Sequence, residues 1–169
     1  MKKFLTILLT LLSIISYSQT KLDMEIFNVI NQYRVSNGLN KLDWRQDAFG
    51  VVKKHNDYMR VAGSYSHDEP IDIPKNKELQ TPGKRFTDAN IWWYGVGENI
   101  SCMPYSDSSL VFTAREIVDS WIASTGHNRL LINETMEFGS VSTSLVAVKF
   151  EKSYSDVTGY CYSTFNTFR

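Results

Sequence analysis

The sequence predicts an α+β fold in which helices come first along the chain and an antiparallel sheet comes late. Apolar residues recur at helical spacing between residues 26 and 62, whereas extended and alternating patterns dominate residues 138–168. No stretch rich in Gly and Ser divides the chain, and its 169 residues suit one domain. We therefore expect a single domain over residues 19–169, preceded by a processing segment.

Three helices are predicted from apolar periodicity and from their end signals. The first carries apolar residues at helical spacing and ends at Asn37-Gly38. The second follows Asp43-Trp44 and ends at Gly63, and the third is capped by Ser108 or Ser109. The apolar positions of the first and third helices are Ile26, Val29, Ile30, Tyr33, Leu110, Ala114, Ile117, Val118 and Trp121.

Three extended segments are predicted after the second helix. Residues 64–90 are rich in turn-forming residues, so no long element is expected there. A short strand is predicted over 95–101, a longer extended stretch over 138–150, and a last strand over 160–168.

The first 18 residues have the layout of a secretory signal peptide. A basic start at Met1-Lys2-Lys3 precedes the apolar run from Phe4 to Ile15, and Ser16-Tyr17-Ser18 offers small residues for cleavage before Gln19. The run is shorter than the roughly 20 apolar residues that span a bilayer. We expect export to the extracellular or periplasmic space, with no transmembrane segment in the mature protein. An uncleaved N-terminal anchor is the alternative.

The predicted export favours a disulfide between the two cysteines of the chain. Secreted proteins form disulfides, so Cys102, which follows the Glu98 strand, and Cys161, on the last strand of the same sheet, are expected to form one bridge. By closing the loop between the two cysteines, such a bridge would stabilise the fold by roughly 4 kcal/mol. Two separately buried thiols are the alternative.

Charge balance argues against a nucleic-acid partner. The chain has 18 Lys and Arg residues against 18 Asp and Glu residues, whereas nucleic-acid binding draws its affinity from clustered basic residues. We expect an unknown small ligand or an extracellular partner instead.

Two histidines and one glutamate are the candidate functional residues. His67 and His127 lie in polar, turn-forming segments, and Glu98 lies between two glycines and a strand. The third histidine, His55, is on the apolar stripe of the second helix and is expected in the core. No His-Glu-x-x-His, P-loop or Gly-x-Ser-x-Gly motif is present. The residues alone therefore leave open whether the three meet.

Several short motifs, taken in order, resemble the CAP superfamily. This is the family of cysteine-rich secretory proteins, antigen 5 and plant pathogenesis-related group 1 proteins, also called the SCP domain. The resemblance covers roughly residues 24–168. The segments that carry it are Ile30–Arg34, Gly38–Trp44, Lys54–Met59, Tyr65–His67, Gly97–Ile100, Trp121–His127 and Phe138-Gly139.

The resemblance implies a three-layer α-β-α sandwich with a shallow ligand-binding cleft formed by His67, Glu98, Asn99, Ser124 and His127. It also implies that His67, Glu98 and His127 can hold Zn²⁺ or another divalent cation, although no cofactor is required. Ser124 stands where many eukaryotic members have a second Glu, which leaves three ligands. Two imidazoles and a carboxylate can hold zinc with one open position.

Three functions follow from this resemblance. The expected one is a binding module for a lipid, sterol, peptide or glycan. The first alternative is a metal-assisted extracellular hydrolase, peptidase-like, with His67, Glu98 and His127 as its catalytic candidates. The missing fourth acid and the lack of an obvious nucleophile argue against it.

The second alternative is a structural surface protein with an unused cleft. In that case Glu98 and His127 would hydrogen-bond to each other and hold the cleft loops. The aromatic run Trp92-Trp93-Tyr94 poses a similar choice between core packing and a ligand platform.

Overall fold

The computed structural model describes residues 19–73, 76–105, 113–147 and 159–169. The predicted signal peptide over residues 1–18 lies outside the described residues, as do the predicted helix caps Ser108 and Ser109. The end of the extended stretch, residues 148–150, also lies outside them.

Five helices and six strands are formed by the described residues, and four of the strands make the central sheet in the order β1-β5-β6-β4. Both neighbours of β6 pair with it antiparallel, and the two-residue β1 pairs parallel with β5. Strands β2 and β3 form a separate hairpin. The elements are α1 (Lys21–Ser36), β1 (Asp43–Trp44), α2 (Gln46–Ala62), β2 (Glu69–Ile73), β3 (Asn76–Gln80), α3 (Pro82–Asp88), β4 (Val96–Tyr105), α4 (Ala114–Ile122), α5 (Thr125–Leu131), β5 (Phe138–Ala147) and β6 (Gly159–Phe168).

Helices cover both faces of the sheet. Successive residues of a strand point to opposite faces, and β6 shows this directly. Phe168 packs with Ala48 of α2, whereas Phe165 packs with Ile26 of α1 and Trp121 of α4. The predicted α+β, three-layer α-β-α sandwich is therefore confirmed, with one parallel strand pair that the sequence did not predict.

The helix ends follow local sequence signals. Thr20 and Asp23 form a capping box at the start of α1, and Gly63 ends α2 in the left-handed region, with φ of 60°. The third predicted helix begins later than expected. Thr113 caps it and forms a capping box with Glu116, so α4 starts at Ala114.

The turn-rich segment over 64–90 folds into short elements that sequence periodicity did not resolve. It contains the hairpin β2–β3 and the seven-residue helix α3. The segment around His127 also differs from expectation, because His127 lies on the short helix α5 and not in a turn.

Buried Arg34 fixes the loop that follows α5. Its guanidinium donates to the carbonyl oxygens of Leu131 at 2.8 Å, Asn133 at 2.9 Å and Met136 at 3.3 Å. The side chain is almost fully buried, so these bonds form in a poorly solvated environment where losing one is costly. α1 thereby holds α5 and the chain after it in place.

The predicted disulfide between Cys102 and Cys161 is wrong for this structure, because both residues are free thiols. In the register of β4 and β6, Cys102 pairs with Tyr162, and Cys161 pairs with Met103. The two cysteines are thus offset by one residue, and their side chains point to opposite faces of the sheet. Cys161 lies in the core under α1 and α4, and burial raises the pKa of its thiol to about 11.

No helix in the described part of the chain combines the length and the apolar character needed to cross a membrane.

Candidate functional site

Glu98 is a buried carboxylate near the start of β4, and both of its oxygens are engaged. Arg85 of α3 donates to its Oε2 at 2.6 Å, and His67 Nδ1 lies 3.0 Å from its Oε1. The side chain is only 1% exposed. Ion pairs buried this deeply are costly to break, because the remaining charge then has no partner.

A second carboxylate and the third histidine extend this network. His55 is fully buried on α2, as expected, and its Nδ1 lies 2.7 Å from Glu69 Oε1. Its Nε2 lies 3.5 Å from Glu98 Oε1 and makes no hydrogen bond among the described residues. We name Glu69, His55, Glu98 and Arg85, together with the half-exposed His67 at their edge, the buried charge network.

Arg85 ties this network to the surrounding backbone. Its Nη1 donates to the carbonyl oxygens of His67 and of Gln80, each at 2.9 Å. The same guanidinium lies 3.7 Å from Glu69 Oε1. One side chain therefore joins the loop before β2, the end of β3 and strand β4.

The pKa of Glu98 reports the balance of these contacts. Burial alone would raise it, but the hydrogen bond from His67 and the charges of Arg85 and His55 together outweigh burial and lower the pKa of Glu98 below its ordinary value of 4.5. Glu98 is therefore ionised at neutral pH.

A cleft of about 570 Å³ opens beside this network, between β4 and α5. His67, Glu98, Asn99 and His127 all line it. The rest of the lining is formed by Val96, Gly97, Gly126, Arg129, Leu130, Asn133 and Met136. The structure thus brings four of the five residues named from the sequence to one cleft.

The fifth residue, Ser124, occupies the N-cap position of α5 and does not line the cleft. Glu98 and His127 do not form the hydrogen bond that the structural alternative expected. The carboxylate pairs instead with Arg85 and His67, and the carbonyl oxygen of His127 accepts a hydrogen bond from Asn99 Nδ2 at 3.1 Å.

The groups that face solvent in the cleft are basic. The side chain of His67 is 47% exposed, His127 is half-buried, and Arg129 is exposed. Burial, and then the charge of His67, lower the pKa of His127 below its ordinary value of 6.5. Within the described residues, no carboxylate lies within ion-pair distance of Arg129.

The arrangement does not fit a preformed divalent metal site. No group of three or more His, Cys, Asp or Glu side chains in the described part of the chain is placed to hold a metal ion. The Arg85 guanidinium also holds the carboxylate that would be a ligand and brings a positive charge next to it. A general base at Glu98 faces the same obstacle, because its oxygens are occupied.

Sequence reasoning missed Arg85, Glu69 and Arg129. Arg85 and Glu69 fall within residues 64–90, where only turn signals are visible, and no spacing rule connects them to Glu98. Arg129 follows His127 by two residues in the sequence, and this short separation was the signal that could have identified it as a cleft residue.

The fold and the cleft together define an α-β-α sandwich with a polar groove over one edge strand of its sheet. The model of the cysteine-rich secretory protein family, abbreviated CAP, matches residues 27–145. The chain belongs to that family.

One curated protein is similar to part of this chain. The chain is 28% identical over 115 residues to the uncharacterized membrane protein YlbC of Bacillus subtilis (strain 168). The match takes in 68% of this chain but only 29% of that protein. The chain thus spans under a third of that relative's length.

Among solved structures, an extracellular protein containing an SCP domain from Bacillus anthracis matches with a TM-score of 0.62 and 25% identity, covering 86% of this chain and 39% of that one. An outer surface protein from Borrelia burgdorferi matches with a TM-score of 0.61 and 17% identity, covering 90% and 97%. A cysteine-rich secretory protein from Staphylococcus aureus matches with a TM-score of 0.56 and 13% identity, covering 88% and 38%. At those identities, the last two support the fold alone.

Proposed function

We propose that this chain is an exported CAP-domain binding protein whose cleft takes the carboxylate end of a peptide. One observation carries the proposal. Glu98, the acidic residue of the cleft, is buried and paired, while His67, His127 and Arg129 present the polar groups that a ligand would meet. Glu98 is therefore not free to act as a base, and the accessible groups are hydrogen-bonding and basic groups suited to binding.

The charge of the cleft favours an anionic group on the ligand. Arg85 offsets the charge of Glu98, and Arg129 adds a positive charge at the surface. The imidazole of His127 is neutral at pH 7, because its pKa is lowered, and can donate or accept a hydrogen bond. A carboxylate next to an amide matches these donors.

The mixed lining favours a peptide over a lipid or a sterol. Val96, Leu130 and Met136 offer apolar surface, but two imidazoles and a guanidinium share the same cleft. Hydrocarbon would remove these polar groups from water without offering partners, which is costly. A peptide offers both apolar side chains and hydrogen-bonding groups.

Export is supported by two observations. Residues 1–18 have the pattern of a signal peptide, and the structural relatives are described as extracellular, outer surface and secretory proteins. The working location is therefore outside the cytoplasm.

The experiment compares N-acetyl-alanyl-alanine with its C-terminal amide, using ¹⁵N NMR titration at pH 7. We expect the acid to bind and the amide to bind more weakly. Arg129→Ala should weaken binding of the acid by roughly tenfold, the equivalent of one charge-assisted hydrogen bond. The matched control is Arg115→Ala on α4, an exposed arginine outside the cleft, which should leave binding unchanged. Equal affinity for acid and amide would refute recognition of a carboxylate.

The metal-assisted hydrolase remains the second candidate, and its zinc site at His67, Glu98 and His127 stays a prediction. Zinc that binds the folded protein raises its stability by RT ln(1 + [Zn]/Kd). Thermal unfolding with and without zinc, in wild type and His127→Ala, tests the site. Zinc-dependent stabilisation that is lost in the variant, together with peptide hydrolysis, would replace the binding proposal with the hydrolase.

A further inference from the structure

Two large aromatic side chains lie exposed next to each other between α3 and β4. Trp92 and Tyr94 are each 71% exposed, and their ring centroids lie 4.2 Å apart at an interplanar angle of 72°. We name this pair the aromatic platform. Exposed apolar patches on soluble domains commonly mark binding sites, and Trp and Tyr are well suited because each combines an apolar ring with a polar atom.

Trp92 lines two cavities. The larger, about 550 Å³, is also lined by Tyr94, Arg45, Glu137 and Arg169, together with the rings of Phe138 and Phe168. The smaller, about 450 Å³, is also lined by Thr87, Asn90, Ile91 and Trp93. Because Trp92 is common to both cavities, a ligand with repeated ring units can contact it in both, whereas a single small ring fills only one.

The backbone under the platform is held in place. The Tyr94 amide donates to the Arg169 carbonyl oxygen at 2.6 Å, and the Arg169 amide donates to the Gly95 carbonyl oxygen at 3.2 Å. Trp93 points inward, and its Nε1 donates to Thr87 Oγ1 at 3.2 Å. The backbone that carries the two rings is therefore anchored before a ligand arrives, which reduces the entropy cost of binding.

The groups at the rim decide which ligand fits. Arg45 lies over the Phe138 ring at 5.1 Å and forms an ion pair with Asp47, while Glu137 and Arg169 line the same cavity. A lipid chain would bury these charges without offering them hydrogen-bond partners, which is costly. A pyranose ring suits both the aromatic and the charged groups of this cavity. Its C–H face packs on the negative face of an aromatic ring, and its hydroxyls pair with charged side chains.

We propose that Trp92 and Tyr94 form a glycan-binding site, in which successive pyranose rings of a polysaccharide occupy the two cavities that share Trp92. The site shares no lining residue with the cleft that holds His67 and His127. It is therefore a second site, independent of the proposed peptide cleft.

The test measures retention of the purified protein on four insoluble polysaccharides at pH 7, namely cellulose, chitin, peptidoglycan and pectate gel. We expect wild type to be retained on at least one of them. Trp92→Ala should reduce the bound fraction at least tenfold, and Trp92→Phe should restore part of it because a ring face remains. Since Trp92 is mostly exposed, the melting temperature should stay within a few degrees of wild type.

Two controls separate the site from other surfaces. Leu145→Ala removes a similarly exposed apolar side chain, 54% exposed on β5, and should bind like wild type. His67→Ala alters the cleft and should also retain glycan binding, so failure of the peptide proposal would leave this result intact. Retention of Trp92→Ala equal to wild type would overturn the proposal, as would no retention of folded wild type on any of the four supports. A dimer in sedimentation velocity that Trp92→Ala abolishes, without glycan retention, would assign the platform to self-association instead.

Discussion

Replacing Glu98 with Gln tests the buried charge network, because it removes one charge and little volume. The substitution removes the negative charge from the 2.6 Å contact with Arg85 and from the 3.0 Å contact with His67. The buried Arg85 guanidinium thereby loses the carboxylate that it pairs with, and breaking a buried ion pair costs roughly 3–5 kcal/mol. Because Glu69 Oε1 remains 3.7 Å from the guanidinium, we expect a loss at the lower end of that range, about 3 kcal/mol.

The assay is urea unfolding at pH 7, followed by tryptophan fluorescence. A loss of about 3 kcal/mol corresponds to a melting temperature lower by roughly 10 °C in a domain of this size. Glu134→Gln is the matched control, since Glu134 is exposed and the chemical change is the same. The control should change the free energy of unfolding by less than about 0.5 kcal/mol.

The pH dependence of this difference has a defined sign. The pKa of Glu98 is lowered in the folded state, so its carboxylate stabilises the fold fully above its ordinary value of 4.5. That contribution is lost as the pH falls from 4.5 through the lowered pKa. The gap between wild type and Glu98→Gln should therefore be constant near neutrality and shrink in acid. A Glu98→Gln variant as stable as the Glu134→Gln control at pH 7 would refute the role of the network.

Two further predictions concern packing and the cysteines. Gly97→Ala would place a Cβ against the Leu130 side chain, push α5 away from β4 and destabilise the fold by about 1–3 kcal/mol. A Cβ at Gly126 would meet no atom within 4 Å, so Gly126→Ala should be neutral in the same urea assay. Equal effects of the two substitutions would be inconsistent with this packing. Thiol titration of unreduced, denatured protein should find both Cys102 and Cys161 free, and a titre of zero would restore the disulfide.

The sequence predicted those parts of the fold whose signals are local. α1 and α2 are long, have apolar stripes and end at Asn37 and Gly63, so their bounds were close. The strand that carries Glu98 was predicted over 95–101, and the last strand was found from alternation. The seven-residue helices α3 and α5 are too short to show a period, and both were missed.

The site was predictable only in part, because its contacts are long-range. The family motifs directed attention to His67, Glu98 and His127, and the structure places all three at one cleft. The pairing of Arg85 with Glu98 depends on how α3 packs beside β4, which no spacing in the sequence encodes. The disulfide prediction failed for a similar reason, since a one-residue offset in the register of β4 and β6 reverses the face of a side chain.

The most direct test of the peptide cleft follows the imidazole protons by NMR during addition of N-acetyl-alanyl-alanine at pH 7. The chain has three histidines, and the fully buried His55 does not line the cleft but contacts Glu98 behind it. We expect saturable shifts for His67 and His127, with a smaller shift for His55. Shifts of equal size at all three histidines, or no shift at His67 and His127, would contradict this prediction.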